Sequence, residues 1–364
     1  MNICVMYPSA KISVADVASG LVAGLKANGE TVIPYYLPTH LESSSQNLKW
    51  LYDKKQADGV AVEMFTPNDV FYDASKGILE RALRYDCEWV VYVSMLGQHP
   101  DYIRMLRRAG RKVALICTEA PYQSEQELKV AAEFDHVFVN ERSVLAQYRA
   151  VNPNTTYLGA AWHPNVHQPN AELDVDMPSH DVVFVGTGFP ERIVLLENIE
   201  WRGVDFGLYG TWELIDGASP LWSHFPVQAD GTKSEVWAVP NPVTAALYRN
   251  AKVGLNLHRT AVDYDMDTLH VEGAESMNPR GYELAACGLP FVSDWRPEVA
   301  EIFGDALPTF HTATEAGPLV RKVLDSEAWR ADIAGRCRER IQAHSWTARA
   351  GQVLETFSRA LVAA

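Results

Sequence analysis

The feature that most constrains this sequence is an alternation between short apolar runs and amphipathic stretches of helical length. Ile3–Tyr7 is the first apolar run, and the stretch after it places apolar residues every three or four positions up to Leu25. Further runs in the first half are Thr31–Tyr36, Trp89–Ser94, Val113–Cys117, His136–Asn140 and Thr156–Gly159. Such alternation is typical of a parallel β-sheet with helices on both faces, because each parallel connection needs a crossover.

The alternation restarts after a polar, proline-containing stretch between Trp162 and His180. The predicted strands there are Asp181–Gly186, Phe206–Gly210, Val253–His258 and Pro290–Ser293. Helices are predicted over 191–200, 242–251, 280–287, 296–303 and 313–324, and from about 326 to 362 with a break near His344. A chain of 364 residues has the length of two domains. We therefore predict doubly wound α/β domains at 1–170 and 171–340, followed by a C-terminal helix at 341–364.

Composition excludes several classes of protein. Apolar residues make up 47% of the chain, which is too many for a disordered protein. No apolar run approaches the roughly 18 residues of a membrane-spanning helix, and no basic segment precedes the first run, so we expect neither membrane insertion nor a signal peptide. The five cysteines are widely spaced and form no C-x-x-C pair. They predict buried free thiols in a cytoplasmic compartment, without disulfides or a zinc site.

The charge is unevenly distributed along the chain. The net charge is −14, of which residues 1–170 carry −2 and residues 171–364 carry −12. A protein that coats nucleic acid would be basic. The one dense basic run is Arg104–Lys112. It predicts either a solvated helix end, whose cations suit the helix dipole, or a contact surface for a phosphate-bearing acceptor.

The residues that follow the predicted strands are the first candidates for a site. In open α/β sheets, ligands bind at the carboxyl ends of the strands, near the reversal in strand order. The residues at these ends are Tyr7–Ala10, Ser94–His99, Thr118–Tyr122, Asn140–Arg142, Gly186–Arg192, Tyr209–Trp212, His258–Arg259 and Asp294.

The most informative segment runs from Glu275 to Pro290 and predicts a short capped helix. Asn278 suits the N-cap, a proline follows it, and Gly288 suits the C-terminal end. The backbone amides at the start of this helix would form an anion site, to which Arg280 adds a positive charge. The alternative is a capped surface helix whose glutamates are solvated.

This segment also resembles a known signature. Glu275 and Glu283 are separated by seven residues and followed by Ala-Ala-Cys-Gly-Leu-Pro and a strand. This pattern resembles the E-x7-E donor-site signature of GT-B glycosyltransferases. With Asn278, Arg280 and Tyr282 it is similar to the spore-maturation, CgeB-like family. Further segments that resemble this family are Val183–Thr187, Leu247–Arg259 and His344–Arg349.

The resemblance covers residues 180–355 well and implies a fold and a site. The implied fold has two Rossmann-like domains facing across a cleft, with C-terminal helices crossing back to the first. Glu283 would bind the donor ribose, Glu275 would contact the sugar hydroxyls as a catalytic residue, and Arg280 with the amides of 276–281 would hold the diphosphate. The implied donor-binding set is Gly186, Thr187, Arg192, His258, Arg259, Asn278, Arg280, Gly281, Tyr282 and Glu283.

One departure from the family pattern affects the phosphate site. Many relatives place an arginine and a lysine after the glycine that corresponds to Gly186. This sequence has Arg192 but no lysine nearby. We therefore assign the missing positive charge to His258 and Arg259.

The acceptor side is predicted less specifically. Glu119 follows a predicted strand and is the candidate catalytic residue that activates or positions an acceptor hydroxyl. Its alternative role is to cap the next helix or to pair with a base. His99 and His163 are weaker candidates, since a lone histidine in a loop is more often a packing residue.

Two acidic segments contain the Asp-x-Asp pattern that can hold a divalent metal. They are Asp263–Asp267 and Asp174–Asp176. The first fails as a calcium loop because its sixth position is Thr268 and its twelfth is Ala274. We predict solvated loops, with Mg²⁺ binding by Asp263, Asp265 and Asp267 as the alternative, and the resemblance implies no metal requirement.

These observations predict a metal-independent GT-B glycosyltransferase that moves a hexosyl or pentosyl group from a nucleoside-diphosphate sugar and needs no other cofactor. The acceptor is not identified by the sequence. A nucleic acid is one candidate, including a modified DNA base of the kind that some phage glycosyltransferases use; a saccharide, protein or small molecule is the other. The alternatives are a nucleotide-sugar epimerase and a non-catalytic sugar-nucleotide-binding module. A Rossmann dehydrogenase is disfavoured because no G-x-G-x-x-G follows either first strand. The oligomeric state is not predicted.

Overall fold

The computed structural model describes residues 1–8, 14–122, 124–170, 177–226, 236–237, 239–259 and 274–362. The chain divides into two compact units. Unit 1 consists of Met1–Leu158 and Thr347–Ala364, and unit 2 is Gly159–Trp346. The domain limits of 170 and 340 stay predictions.

Unit 1 contains a parallel six-stranded sheet. Its strands are β1 (Asn2–Tyr7), β2 (Thr31–Tyr36), β3 (Trp89–Val93), β4 (Lys112–Ile116), β5 (His136–Val139) and β6 (Thr155–Tyr157). Its helices are α1 (Val14–Ala27), α2 (Leu37–Ala57), α3 (Pro67–Arg84), α4 (Asp101–Arg108), α5 (Ser124–Ala131) and α6 (Leu145–Val151). The strand order is β2-β1-β3-β4-β5-β6. All neighbouring strands run parallel.

Burial explains why the strands of unit 1 read as continuous apolar runs. All five residues of β3 are buried, as expected for a strand with helices on both sides of its sheet. The C-terminal helix joins this unit: Phe357 stacks on Trp89 with ring centroids 3.9 Å apart. The side-chain amide of Asn28 donates to the carbonyl of Thr347 at 2.9 Å. The chain therefore returns to its first unit at the end, as predicted.

Unit 2 is built on a second six-stranded sheet. Its strands are β7 (Val182–Val185), β8 (Phe206–Thr211), β9 (Val236–Trp237), β10 (Val253–Asn256), β11 (Phe291–Asp294) and β12 (Thr309–Phe310). The helices from here to the C-terminus are α7 (Pro190–Glu197), α8 (Asn241–Asn250), α9 (Pro279–Cys287), α10 (Pro297–Phe303), α11 (Ala313–Leu324), α12 (Glu327–Ile341) and α13 (Trp346–Val362). Short 3₁₀ helices span Pro220–His224, Gly304–Ala306 and Gln342–His344.

The order of the second sheet is β12-β11-β10-β7-β8-β9, and only the β8–β9 pair is antiparallel among the described pairs. The fold class predicted from the sequence, two doubly wound α/β domains, is confirmed. The helix at 279–287 also begins and ends as predicted. Asn278 caps it with its side-chain oxygen, and Gly288 ends it at φ 75°, where a side chain would be strained.

The helices of unit 1 that the sequence analysis does not predict include the two longest, α2 and α3. α2 buries only Leu37 and Ser44 along 21 residues, so it has almost no apolar stripe to reveal it. α3 begins with a capping box between Thr66 and Asp69. Its N-terminal signal is present in the sequence, and its buried residues Ala74, Ile78 and Ala82 recur every four positions.

Candidate functional site

The candidate site lies where the strand order of unit 2 reverses. β7 and β10 pair in parallel, with Val182 beside Val253, although α7, β8, β9 and α8 separate them along the chain. In open α/β sheets the crevice at such a reversal is the usual ligand site. We call the residues at this edge, Gly186–Phe189, Leu257–Arg259 and Ser276–Glu283, the switch-point site.

Arg280, in the first turn of α9, bridges the ends of both strands. Its Nε donates to the carbonyl of Val185 at 2.6 Å and its Nη1 to the carbonyl of Leu257 at 3.2 Å. Its guanidinium carbon lies 4.5 Å from the ring centroid of Phe184, a cation–π contact. A Cβ at position 186 would overlap this guanidinium, so only glycine allows the approach.

A second arginine reaches the same place from α7. Arg192 is 6% exposed. Its Nη1 donates to the carbonyl of Thr187 at 2.9 Å and its Nη2 to the carbonyl of Leu257 at 2.8 Å. Its guanidinium carbon lies 4.8 Å from the centroid of Phe189. The predicted residues Gly186, Thr187 and Arg192 are thus brought together with Arg280.

The carbonyl of Leu257 accepts from three side chains, because the Nδ2 of Asn278 also donates to it at 3.0 Å. Two of these three donors are guanidinium groups. Two positive charges held on one acceptor repel each other, and an anion bound beside them stabilises both. Planar guanidinium groups suit phosphate oxygens, so the arrangement fits a diphosphate.

The start of α9 offers fewer backbone amides than the sequence suggests. The amide of Gly281 donates to the Oδ1 of Asn278 at 3.3 Å, which is the N-cap bond. The amide of Met277 donates to the Oε2 of Glu298 at 2.6 Å. These two amides of the 276–281 segment, which was predicted to hold the diphosphate, therefore bond within the protein. The arginines would then supply more of the contacts to a phosphate.

Glu298 is a residue of this site that the sequence analysis missed. It is 2% exposed, and its own amide donates to the carbonyl of Glu275 at 3.1 Å. With its carboxylate on the Met277 amide, it holds the segment between Glu275 and Asn278 at two points. The sequence signal is weak, because a glutamate in the first turn of a helix is ordinarily explained by the helix dipole.

The two glutamates of the E-x7-E pattern are both half-buried. Glu283 lies in α9 near Arg280, and both act on the hydroxyl of Tyr248: burial raises the pKa of Tyr248, Glu283 raises it further and Arg280 lowers it. Tyr282 is fully buried, and its ring centroid lies 5.8 Å from that of His344. Its ring therefore contributes to the packing of α9.

His258 is buried beside Asp294. The His258 Nδ1 lies 2.6 Å from the Oδ1 of Asp294, and the His258 amide donates to both carboxylate oxygens at 3.2 and 3.1 Å. Burial lowers the pKa of His258, and Arg296 and Arg192 lower it further, although Asp294 raises it. This balance favours a neutral ring, so the positive charge of the site comes from arginines. Arg259 is one of them, with its guanidinium carbon 4.5 Å from the centroid of Phe189.

The predicted acceptor residue Glu119 lies in unit 1, half-buried after β4. Its neighbour Glu127 is 4% exposed and accepts from the Tyr148 hydroxyl at 2.7 Å. Burial raises the pKa of Glu127, and the charge of Glu119 raises it further. Asn140 donates to the carbonyls of Thr118 and Ala120 at 3.3 and 3.1 Å, which ties the loop of Glu119 to the end of β5.

Carboxylates neutralise most of the basic run of unit 1. Arg104 pairs with Asp101 and Glu133. Other ion pairs join Arg107 and Lys112 to Asp135, and Arg111 to Asp86. This arrangement agrees better with a solvated, ion-paired helix end than with a phosphate-binding surface.

The two lone histidines make loop contacts. The ring nitrogen Nδ1 of His99 accepts from the amide of Asp101 at 3.3 Å, and the Nδ1 of His163 accepts from the amide of Asn165 at 3.2 Å. Both contacts are typical of packed loop residues.

The described part of the chain contains neither a cluster of metal ligands nor a helix suited to a membrane. There, no three side chains of His, Cys, Asp or Glu are grouped so that they could hold a metal ion. The two Asp-x-Asp segments, 174–176 and 263–267, lie outside the described residues. Within the same limits, no helix is long and apolar enough to cross a membrane.

Comparisons with known proteins give a family match over part of the chain and a fold shared along nearly all of it. Residues 192–355 match a family model described as glycosyl transferase-like. This region is less than half of the chain and includes Arg192, His258, Arg280 and both glutamates. A comparison with curated proteins finds no match.

Several solved structures share the fold along nearly the whole chain. Sucrose-phosphate synthase from Thermosynechococcus elongatus is 13% identical with a TM-score of 0.64, covering 100% of each chain. HepE from Anabaena in complex with UDP-glucose is 13% identical with a TM-score of 0.58, covering 99% of this chain and 100% of its own. An alpha-glucosyltransferase in complex with UDP and a 13-mer DNA is 11% identical with a TM-score of 0.59 and the same coverage. Together, these structures show the two-domain α/β GT-B fold, and the glycosyl transferase-like match is limited to residues 192–355.

Proposed function

We propose that this chain transfers a sugar from a UDP-sugar to an acceptor hydroxyl, with the donor bound at the switch-point site. The observation that carries the proposal is the convergence of Arg192 and Arg280 on the carbonyl of Leu257, where β7 and β10 end side by side. UDP is the first nucleotide to test, because two of the three similar structures named above contain UDP or UDP-glucose.

The reaction breaks the bond between the sugar C1 and the β-phosphate oxygen, and forms a bond between C1 and the acceptor oxygen. The acceptor hydroxyl loses its proton, and UDP leaves with the bonding electron pair. The leaving group therefore gains negative charge in the transition state. Arg192 and Arg280 are already fixed by hydrogen bonds, so they can stabilise this charge with little rearrangement.

The remaining donor contacts follow from position. Glu283, one turn into α9, is proposed to accept hydrogen bonds from the ribose diol. Glu275, held by Glu298, is proposed to contact hydroxyls of the transferred sugar. Glu119 of unit 1 stays the candidate for receiving the acceptor proton.

We further propose that the reaction needs no metal ion. Two guanidinium groups supply the positive charge that a divalent cation would otherwise bring to a diphosphate. Added EDTA should therefore leave activity unchanged. Loss of activity in EDTA with recovery in Mg²⁺ or Mn²⁺ would instead support the acidic segment at 263–267.

On the resemblance of residues 275–290, we propose that the chain belongs among the CgeB-like enzymes. The acceptor class is left to experiment. DNA with hydroxymethylated bases should be included, because one similar alpha-glucosyltransferase was solved with DNA. The basic run Arg104–Lys112 is disfavoured as the DNA contact, because most of its side chains already form ion pairs with carboxylates.

The proposed function is tested by incubating the protein with a panel of nucleotide sugars, with and without acceptors, and following donor and product by NMR. A transferase releases UDP and forms a new glycoside that depends on the acceptor. An epimerase converts the donor without any acceptor. If the protein is only a binding module, the nucleotide sugar raises its melting temperature but is not converted. Either of the last two results would replace the proposed function.

A further inference from the structure

The pair formed by His258 and Asp294 lies at the switch-point site but has no part in the arginine arrangement. His258 is 3% exposed, and its backbone directly follows the carbonyl of Leu257 on which both arginines converge. Asp294 ends β11, the strand beside β10. Next to the pair, Asn256 donates to the hydroxyl of Ser293 at 2.9 Å, which fixes the two strand ends together.

The geometry determines which ring nitrogen carries the hydrogen. Asp294 lies 2.6 Å from Nδ1, and an ionised carboxylate only accepts hydrogen bonds, so Nδ1 donates. Burial alone would raise the pKa of Asp294, but His258 and Arg296 lower it, so the carboxylate stays ionised. In a neutral ring the other nitrogen, Nε2, then carries a lone pair and no hydrogen.

That lone pair is buried. The Nε2 of His258 has no hydrogen-bond partner among the residues that the structure describes. A buried acceptor left unpaired is unfavourable, so a hydrogen-bond donor is expected to reach it in the working protein. The lone pair therefore points to a ligand group that can donate.

The surroundings define the chemistry of that group. The charged side chains that act on His258 are Asp294, Arg192 and Arg296. Burial, with the two arginines, opposes a positive ring, so Nε2 is an acceptor at neutral pH. Phosphate oxygens are also acceptors and make poor partners for it. A hydroxyl group can donate to it, and a UDP-sugar carries hydroxyls on both its ribose and its transferred sugar.

We infer that Asp294 is a positioning residue that holds His258 in the Nδ1–H form, so that Nε2 accepts a hydrogen bond from a hydroxyl of the bound UDP-sugar. This inference rests on the proposed function. It replaces the predicted role of His258 as a positive charge for the diphosphate with a role in recognising hydroxyls.

The binding test uses the variant His258→Asn, whose side-chain amide can keep the bond to Asp294 but has no atom at the Nε2 position. Calorimetry compares UDP-glucose, UDP and 2′,3′-dideoxy-UDP. If the hydroxyl that Nε2 binds belongs to the transferred sugar, His258→Asn should bind UDP-glucose roughly tenfold more weakly than wild type and should bind the other two nucleotides equally well. If it belongs to the ribose, the variant should bind both UDP-glucose and UDP roughly tenfold more weakly, and its affinity for dideoxy-UDP should equal that of wild type. Equal affinities for wild type and variant would overturn the inference.

A second measurement tests the tautomer without any ligand. Nitrogen NMR of His258 between pH 6 and 8 should show the Nδ1–H form in the wild type. Asp294→Asn should give the Nε2–H form, because the new amide donates to Nδ1. A positively charged ring, or Nε2–H in the wild type, would overturn the role of Asp294.

The two measurements separate this inference from the proposed function. If wild type binds UDP-sugars and His258→Asn binds them equally well, the function stands and the inference fails. If folded wild type binds no nucleotide sugar, the proposed function fails, and the inference that His258 binds a hydroxyl of such a ligand fails with it. The NMR result still decides whether Asp294 sets the tautomer.

Discussion

Arg192 and Arg280 come from different helices and donate to one carbonyl oxygen, that of Leu257, at 2.8 and 3.2 Å. The strand order brings them together, because β7 precedes α7 and β10 precedes α9 at the reversal of the sheet. The fold therefore builds a doubly positive edge before any ligand binds.

Removing Arg280 should weaken diphosphate binding selectively. Arg280→Ala is expected to lower the affinity for UDP roughly 10- to 100-fold and to leave the weak affinity for uridine almost unchanged, because only UDP has phosphates to lose. Arg202→Ala is the matched control, since the Arg202 side chain is 87% exposed. Equal losses for UDP and uridine in calorimetry would remove Arg280 from the phosphate site.

Removing Glu283 should affect the ribose contact instead. Glu283→Ala is expected to weaken UDP binding by about 1.5–3 kcal/mol, because hydrogen bonds to a charged carboxylate are lost. Binding of 2′,3′-dideoxy-UDP should be the same for variant and wild type. Should the variant still prefer UDP over the dideoxy nucleotide as strongly as wild type does, the ribose assignment is wrong.

Much of unit 2 was predictable because its signals are local. The cap at Asn278, the proline after it and Gly288 define α9 without any tertiary information. The alternation of strands and helices also places Gly186 and Arg192 at the same edge of the sheet as Arg280. What could not be predicted is which atoms each arginine contacts, since the carbonyl of Leu257 carries no sequence signal.

The missed features depend on packing between segments distant in sequence. Glu298 acts on Met277, 21 residues away, through a backbone amide. Asp294 was predicted as a strand-end residue, but its contact with His258 depends on the register, in which Ser293 lies beside Asn256. α2 was missed for a different reason: it buries too few side chains to leave a periodic apolar pattern.

Glu298 should stabilise both the fold and the donor loop. Glu298→Ala leaves the buried amide of Met277 without its partner, so we expect a free energy of unfolding lower by about 1–3 kcal/mol and weaker UDP-glucose binding. Chemical denaturation and calorimetry measure the two effects. Glu339→Ala, on the exposed side of α12, is the control and should change neither. A Glu298→Ala protein as stable as wild type would show that this carboxylate does not hold the loop.

Acid should destabilise the protein partly through His167. This residue is 1% exposed, and burial lowers its pKa to about 3. Between pH 6.5 and 3 the unfolded chain binds a proton that the folded protein does not, so stability falls as the pH falls. His167→Asn can still accept from the amide of His163 but cannot titrate. Between pH 7.5 and 5, the free energy of unfolding of the wild type should fall by about 2 kcal/mol more than that of this variant. Parallel curves for the two proteins would contradict the assignment.

The central claim is that the switch-point site of unit 2 binds a UDP-sugar through Arg192 and Arg280 without a metal. Its most direct test is calorimetric titration of UDP-glucose in EDTA, with wild type and with the Arg192→Ala/Arg280→Ala double variant, each checked for folding by circular dichroism. The account predicts one UDP-glucose bound per wild-type chain and no measurable binding by the folded double variant. Equal binding by both proteins, or binding by wild type only after a divalent metal is added, would contradict it.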